Sequence, residues 1–221
     1  MRYATRAEAG RRLARSAEHL RGTHPVVLAL PRGGIPVARE LASALGAPLD
    51  VLVVRKLGVP WHPELAMGAI AEGDPAGDPP LFRVLNDEVV RRGRIAPESI
   101  ENIQLRETAE LVRRAEVLRA GRPRLPLAGR TAVLVDDGIA TGATAAVACT
   151  AARAAGAARV VLAVPVASPE AVARVRRVAD EVICPWTPSD TDSVGAAYHD
   201  FHQLDDAEAH RLLHSLPNSA E

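Results

Sequence analysis

The chain is short of cysteine, of aromatic residues and of any surplus charge, and each shortage excludes a class of protein. Two cysteines in 221 residues, Cys149 and Cys184, are too few for a disulfide framework and lack the spacing of a zinc site, so both read as buried thiols. Lys plus Arg and Asp plus Glu each number 27, which removes any global attraction to nucleic acid or an anionic membrane. Any specialisation of charge must be local. Arginine-rich "VRRAEVLRAGRPR" does not change this, because Glu107, Glu110 and Glu116 interleave the arginines and no aromatic residue accompanies them. No apolar run approaches the ~18 residues of a membrane span, and "MRYATRAEAGRRLARSAEHL" lacks the apolar centre of a signal peptide. The expectation is a cytoplasmic protein with neither nucleic acid nor membrane as partner.

What the chain does have is a series of short apolar runs separated by helical patterns. "VVLAL", "LDVLVV", "TAVLV", "RVVLAVPVA" and "DEVIC" read as strands buried on both faces. Between them, "IPVARELASALG" is a helix closed by Gly46, "ATAAVACTAARAAG" is a second, and "SPEAVARVRRVA" is a third with Ser168 as N-cap and Pro169 at its first position. Ala9, Leu13, Ala17 and Leu20 mark an amphipathic opening helix, and residues 86–119 are mostly helical with a break near Pro97. The Gly- and Pro-rich stretch from Arg55 to Pro80 reads mainly as loop, with a short strand at "AMGAIA". The fold class is α/β, a mainly parallel twisted sheet with helices on both faces, in one domain over residues 1–215 with a disordered tail at 216–221.

In such a sheet ligands bind outside the carboxyl ends of the strands. Three loops are expected there: "PRGG" after the first strand, "RKLG" after the second and "DDGIATGAT" after the third. Ala140, Thr141, Gly142, Ala143 and Thr144 carry no bulk, so a phosphate can approach the backbone at the start of the next helix and meet two threonine hydroxyls. The segment is neither a Walker A loop nor the dinucleotide fingerprint, since both lack their defining residues here. Asp136 and Asp137 would repel a phosphate unless they serve another part of the same ligand; carboxylates accept from neutral hydroxyls, so a sugar phosphate is the economical inference. Arg32 with the amides of Gly33 and Gly34, and Arg55 with Lys56, add donors for a second and larger anionic group.

These residues resemble the phosphoribosyl diphosphate motif of type I phosphoribosyltransferases. "LALPRGGIPVARELA", "LDVLVVRKLG", "PELAMGAIAEGD" and "YHDFHQLDDAEAHRLL" extend the likeness to a bacterial branch of that family. The resemblance implies a Mg²⁺-dependent transfer of phosphoribose from phosphoribosyl diphosphate to a nitrogenous acceptor with release of pyrophosphate. It implies that Asp136 and Asp137 hold the ribose hydroxyls, that Ala140 to Thr144 hold the 5′-phosphate, and that Arg32, Gly33 and Gly34 form the pyrophosphate loop, with a non-proline cis peptide within Pro31 to Gly33. Arg55 and Lys56 would assist the leaving group, with Mg²⁺ held mainly by substrate and water near Asp136 and Asp137. Leu57 to Pro63 would close over the site. A small hood at residues 184–203, with Trp186, Tyr198 and Phe201, would take the acceptor, and a homodimer is expected. A non-catalytic sensor of phosphoribosyl diphosphate or nucleotide is the alternative; a hydrolase or phosphotransferase using the two aspartates fits the adjacent phosphate cradle less well.

Overall fold

The computed structural model describes residues 2–73, 81–189 and 193–215; the tail expected at 216–221 lies outside them. The apolar runs form strands β1 (Val26–Ala29), β2 (Leu49–Val51), β6 (Thr131–Val135), β7 (Arg159–Ala163) and β8 (Glu181–Ile183), all parallel, in the order β2-β1-β6-β7-β8. Alternate residues serve opposite faces: Val27, Ala29, Val133 and Val135 enter one core cluster, Val26, Leu28, Ala132 and Leu134 the other. Burial on both faces is what makes each run continuously apolar.

Helix α1 (Arg6–Ser16), helix α2 (Gly34–Leu45) and helix α4 (Pro97–Arg119) cover the first face, and helices α5 (Ala143–Ala154) and α6 (Pro169–Val175) the second. Their boundaries follow local chemistry. Ser168 caps α6 by accepting from Ala171 N–H at 3.0 Å, Pro97 opens α4, and Gly46 closes α2 in the left-handed conformation at φ 62°. A short helix α3 (Asp87–Arg92) precedes α4, and helix α7 (Asp206–His214) packs against α2 and α4. Both cysteines are unpaired, and burial pushes the Cys149 thiol up to about 12 and the Cys184 thiol to about 11.

Residues 54–85 depart from the sequence expectation. "LDVLVV" divides: β2 ends at Val51, and the chain leaves the parallel sheet to form β3 (Val54–Val59), β4 (His62–Glu72) and β5 (Leu81–Leu85), a three-stranded antiparallel sheet. Gly58 sits at an irregularity in the β3–β4 register, and Pro60 and Trp61 form the hairpin turn, so glycine and proline here mark a bulge and a reversal rather than loop. Arg55 and Lys56 therefore stand on β3, and the expected closing loop at 57–63 is the β3–β4 hairpin.

A buried ion cluster joins the two sheets. Arg119, at the end of α4, donates to Asp50 of β2 at 2.9 Å, to Glu72 of β4 at 3.0 Å and to the Val51 carbonyl at 2.7 Å. Asp50 and Glu72 also accept the backbone N–H groups of Leu125 and Val53. Removing one member of such a cluster strands charges that water cannot reach. Arg119→Leu is expected to lower unfolding stability in urea at neutral pH by about 3–5 kcal/mol; a loss no larger than that of an exposed ion pair would show the cluster to be incidental.

Candidate active site

Strand order reverses direction between β1 and β6. From β1 the chain crosses through α2 to β2 on one side, and from β6 through α5 to β7 on the other, which makes the β1/β6 boundary the switch point of the sheet. The loops "PRGG" and "DDGIATGAT" leave the carboxyl ends of these two neighbouring strands, so the topology places them side by side.

The contact between them is close. A Cβ on Gly33 would lie 2.2 Å from Asp137 Oδ2, and one on Gly34 would lie 2.4 Å from the Val135 carbonyl oxygen, so neither position admits a side chain without displacement. The Pro31–Arg32 peptide is cis, within the stretch where the family resemblance implied such a bond. Gly34 N–H donates to the Leu30 carbonyl at 3.0 Å, so the role of Gly34 is close approach, while the amides of Arg32 and Gly33 have no hydrogen-bond acceptor among the described residues.

Asp136 and Asp137 sit in unlike surroundings. Asp137 is buried and accepts from Arg6 Nε at 2.7 Å, while Asp136 is partly exposed and accepts from Asp137 N–H at 2.9 Å. Burial, and then the neighbouring Asp137 charge, hold the Asp136 carboxyl well above the ordinary carboxylate range. Burial also raises Asp137, with the Arg6 guanidinium opposing it. The sequence reasoning missed Arg6. Its signal was present: Arg6 stands three residues before Ala9 and seven before Leu13, on the buried stripe of α1, where an unpaired arginine has no place.

Past the acid pair the chain reaches the start of α5, where Gly142 stands at the N-cap in the left-handed conformation and Thr141 Oγ1 accepts from Ala143 N–H at 3.4 Å; Thr141 and Thr144 are exposed. The N–H groups of this first turn and the two hydroxyls make a donor set suited to an anion. Ala140 is fixed from behind, its carbonyl accepting from Ser168 Oγ at 2.8 Å. A cavity of about 530 Å³ lies between this turn and the antiparallel sheet, lined by Lys56, Thr141, Ala143, Thr144 and Arg174 among others, so β3 delivers Lys56 to the cradle. Lys56 also lines a second space of about 360 Å³ with Arg55, Arg106 and Glu107.

The cations are held by carboxylates: Arg32 by Asp206 at 3.4 Å, Arg55 by Glu107 at 2.7 Å and Lys56 by Glu64 at 3.3 Å. All three pairs are partly exposed, and pairs of this kind contribute about 0–1 kcal/mol, so an incoming phosphate competes with them readily. Among the described residues no cluster of three or more His, Cys, Asp or Glu forms a metal cage. Asp136 and Asp137 offer hard oxygen donors, which suits a divalent cation held chiefly by a ligand's own oxygens.

Within 184–203, residues 190–192 lie outside the described ones. Trp186, half-buried, meets Tyr3 edge-on at 5.9 Å; Tyr198, buried, packs on Tyr3 at 5.6 Å and stacks on Phe201 at 5.2 Å. In the structure as it stands these aromatics fasten the segment to the N-terminal residues. The Tyr198 hydroxyl donates to the Asp137 backbone carbonyl, which ties the segment to the acid pair.

Comparison with known proteins agrees with this geometry. The phosphoribosyl transferase domain model matches residues 4–200. Two curated Mycobacterium tuberculosis proteins, from strains CDC 1551 and H37Rv and provisionally named as phosphoribosyl transferases, are 54% identical over 208 residues, which is 94% of this chain and 45% of each of them. The chain thus spans less than half the length of the curated relatives it matches. The crystal structure of TT1426 from Thermus thermophilus superposes with a TM-score of 0.81 at 43% identity, covering 96% of this chain and 98% of that one. A match that runs through both switch-point loops and most of the chain around them settles the lineage, and this chain belongs to the phosphoribosyl transferase domain family.

Proposed function

We propose that the chain is a Mg²⁺-dependent phosphoribosyltransferase that transfers phosphoribose from phosphoribosyl diphosphate to a nitrogenous acceptor and releases pyrophosphate. The observation that carries this reading is the meeting, at one switch point, of a helix start with glycine at its N-cap, an acid pair and an arginine loop approached through glycine. These three donor and acceptor sets match a 5′-phosphate, a vicinal diol and a diphosphate.

The residues divide the work by charge. Thr141, Gly142, Ala143 and Thr144 bind the 5′-phosphate and fix the sugar; Asp136, the more open acid, accepts from a ribose hydroxyl, with Asp137 behind it. Arg32, with the amides of Arg32 and Gly33, binds the diphosphate by exchanging Asp206 for phosphate oxygens, and Lys56 and Arg55 approach from β3. As the glycosidic bond breaks, positive charge develops on the ribose ring and negative charge on the departing diphosphate. The carboxylates face the first and the cations face the second, so both are stabilised without a protein nucleophile. When bound beside Asp136, Mg²⁺ supplies charge neutralisation on the leaving group.

The decisive assay is pyrophosphate release across purines, pyrimidines and other ring-nitrogen acceptors. Release with one acceptor supports the transferase and identifies its second substrate; binding of phosphoribosyl diphosphate without release from any acceptor would replace it with a sensor. Arg32→Ala is expected to weaken phosphoribosyl diphosphate at least tenfold and a nucleoside monophosphate less than threefold, read by calorimetry. Equal losses would remove Arg32 from the diphosphate site.

Asp136 gives a second expectation with opposite signs for stability and binding. A carboxyl raised in the folded state stabilises below its ordinary pKa and loses that contribution as pH rises through the folded value, so at neutral pH its charge is a liability. Asp136→Asn should therefore leave the fold intact and raise its neutral-pH stability by about 1 kcal/mol, while weakening sugar-phosphate binding and flattening its rise with pH. A destabilised variant that binds as tightly as the wild type would contradict both parts.

A further inference from the structure

The acid pair poses an electrostatic problem that the ligand alone does not solve. Two adjacent carboxylates at the entrance of a phosphate site repel the molecule they are meant to bind, and at a few ångströms that repulsion is several-fold stronger beside protein than in bulk water. The structure places one fixed cation against them, and it comes from the far end of the sequence.

Arg6 opens α1 directly after its N-cap, Thr5. Its Nε donates to Asp137 Oδ2 at 2.7 Å and its Nη1 donates to the His202 carbonyl at 2.9 Å. The guanidinium carbon lies 3.8 Å from the centroid of the Phe201 ring and 5.9 Å from that of Tyr198. The backbones of these two segments are laced together: Tyr3 N–H donates to the Ala197 carbonyl, His199 N–H to the Tyr3 carbonyl and Asp200 N–H to the Ala4 carbonyl. Arg6 is thus fixed on one side by the Phe201 ring and the His202 carbonyl, and offers its remaining edge to Asp137.

We propose that Arg6 is a positioning residue of the active site, which locks the Asp137 carboxylate in place and supplies its counter-charge, leaving Asp136 as the acid that meets the sugar. What binds there rests on the function proposed above; the Arg6–Asp137 geometry does not. Three observations favour a role beyond holding the fold together. The pair lies inside the motif, not beside it, and Asp137 Oδ2, the atom that Arg6 holds, is the one that forbids a side chain on Gly33. A displaced Asp137 therefore presses on the arginine loop as well as on the sugar site. The Tyr198 hydroxyl grips the backbone of the same aspartate, so side chain and main chain of Asp137 are held by residues from the two edges of one laced unit. Arg6 also offsets the charge of Asp137, which lowers the barrier to an anionic ligand. The titratable and charged groups that face Asp137 are Asp136 on its own loop, Arg6 from α1 and Tyr198 from the laced segment, and Asp200 of that segment faces Arg6.

The test titrates phosphoribosyl diphosphate with Mg²⁺ into wild type, Arg6→Lys and Arg6→Gln by calorimetry between pH 5 and pH 8. Arg6→Gln should lose at least tenfold in affinity at neutral pH, and its loss of binding on acidification should begin at higher pH, because Asp137 without its cation protonates more easily. Arg6→Lys, which keeps the charge, should recover most of both. An Arg6→Gln protein with lower thermal stability but wild-type affinity and pH profile would overturn the proposal and make the pair a structural one. Should Arg6→Gln not fold, the double variant Arg6→Gln/Asp137→Asn removes both charges. It should bind as Asp137→Asn alone does, and a further loss beyond that single variant would overturn the proposal. If the wild type binds no phosphoribosyl diphosphate, it is the proposed function that fails. Arg6 is then judged by the backbone amide shifts of Gly33, which Asp137 Oδ2 abuts, and of Arg32 beside it: a change in Arg6→Gln that Arg6→Lys restores supports the proposal, and unchanged shifts in both variants overturn it.

Discussion

Two carboxylates on consecutive residues at the end of a buried strand are costly unless a cation reaches them, and much of this molecule is arranged around that requirement. Strand β6 carries four apolar residues into the middle of the sheet and then delivers Asp136 and Asp137 at its carboxyl edge. Burial drives both acids toward protonation, and among the described residues Arg6 is the cation that opposes it at bonding distance. To bring Arg6 there, the N-terminal residues must lie along 197–202, and the aromatic cluster of Tyr3, Trp186 and Tyr198 is the apolar filling of that seam. The hydrophobic and electrostatic demands meet at the same place.

A second ion cluster does for the sheets what Arg6 does for the site. Arg119 gathers Asp50 and Glu72 from separate sheets, so the antiparallel unit bearing Arg55 and Lys56 is tied to the parallel one. The two clusters differ in purpose. All three nitrogens of the Arg119 guanidinium donate to protein oxygens, whereas the acid pair keeps one carboxylate partly exposed. A partly exposed, perturbed acid next to a glycine-capped helix start is the expected appearance of a ligand site, because such groups keep bonding capacity that the fold does not use.

The parallel sheet was legible in the sequence because burial on two faces leaves continuous apolar runs, and the flanking helices because Gly46, Pro97 and Ser168 punctuate them. The place of the switch-point loops was legible because each follows a continuous apolar run at the carboxyl end of a parallel strand. The antiparallel sheet was not: Gly58, Pro60 and Pro63 read as loop, yet tertiary pairing with β4 overrides that local signal and absorbs the glycine as a bulge. The aromatic residues of 184–203 were noticed, but whether they face a ligand or each other depends on the distant Tyr3, which no local pattern reveals. Arg6 was hidden for the same reason. Its partner lies 131 residues away, and only its place on a buried helical stripe betrayed it.

The family assignment is shown by the match over residues 4–200, and the ligand proposed for the switch-point loops is a sugar carrying two separated phosphate groups. The most direct test is a calorimetric titration of phosphoribosyl diphosphate into the wild-type chain with and without Mg²⁺, beside ribose 5-phosphate as the ligand lacking the diphosphate. Magnesium-dependent binding of the diphosphate at least tenfold tighter than that of ribose 5-phosphate is the predicted result. Equal affinity for the two, or no binding of either, would contradict the assignment of the arginine loop and acid pair to one ligand.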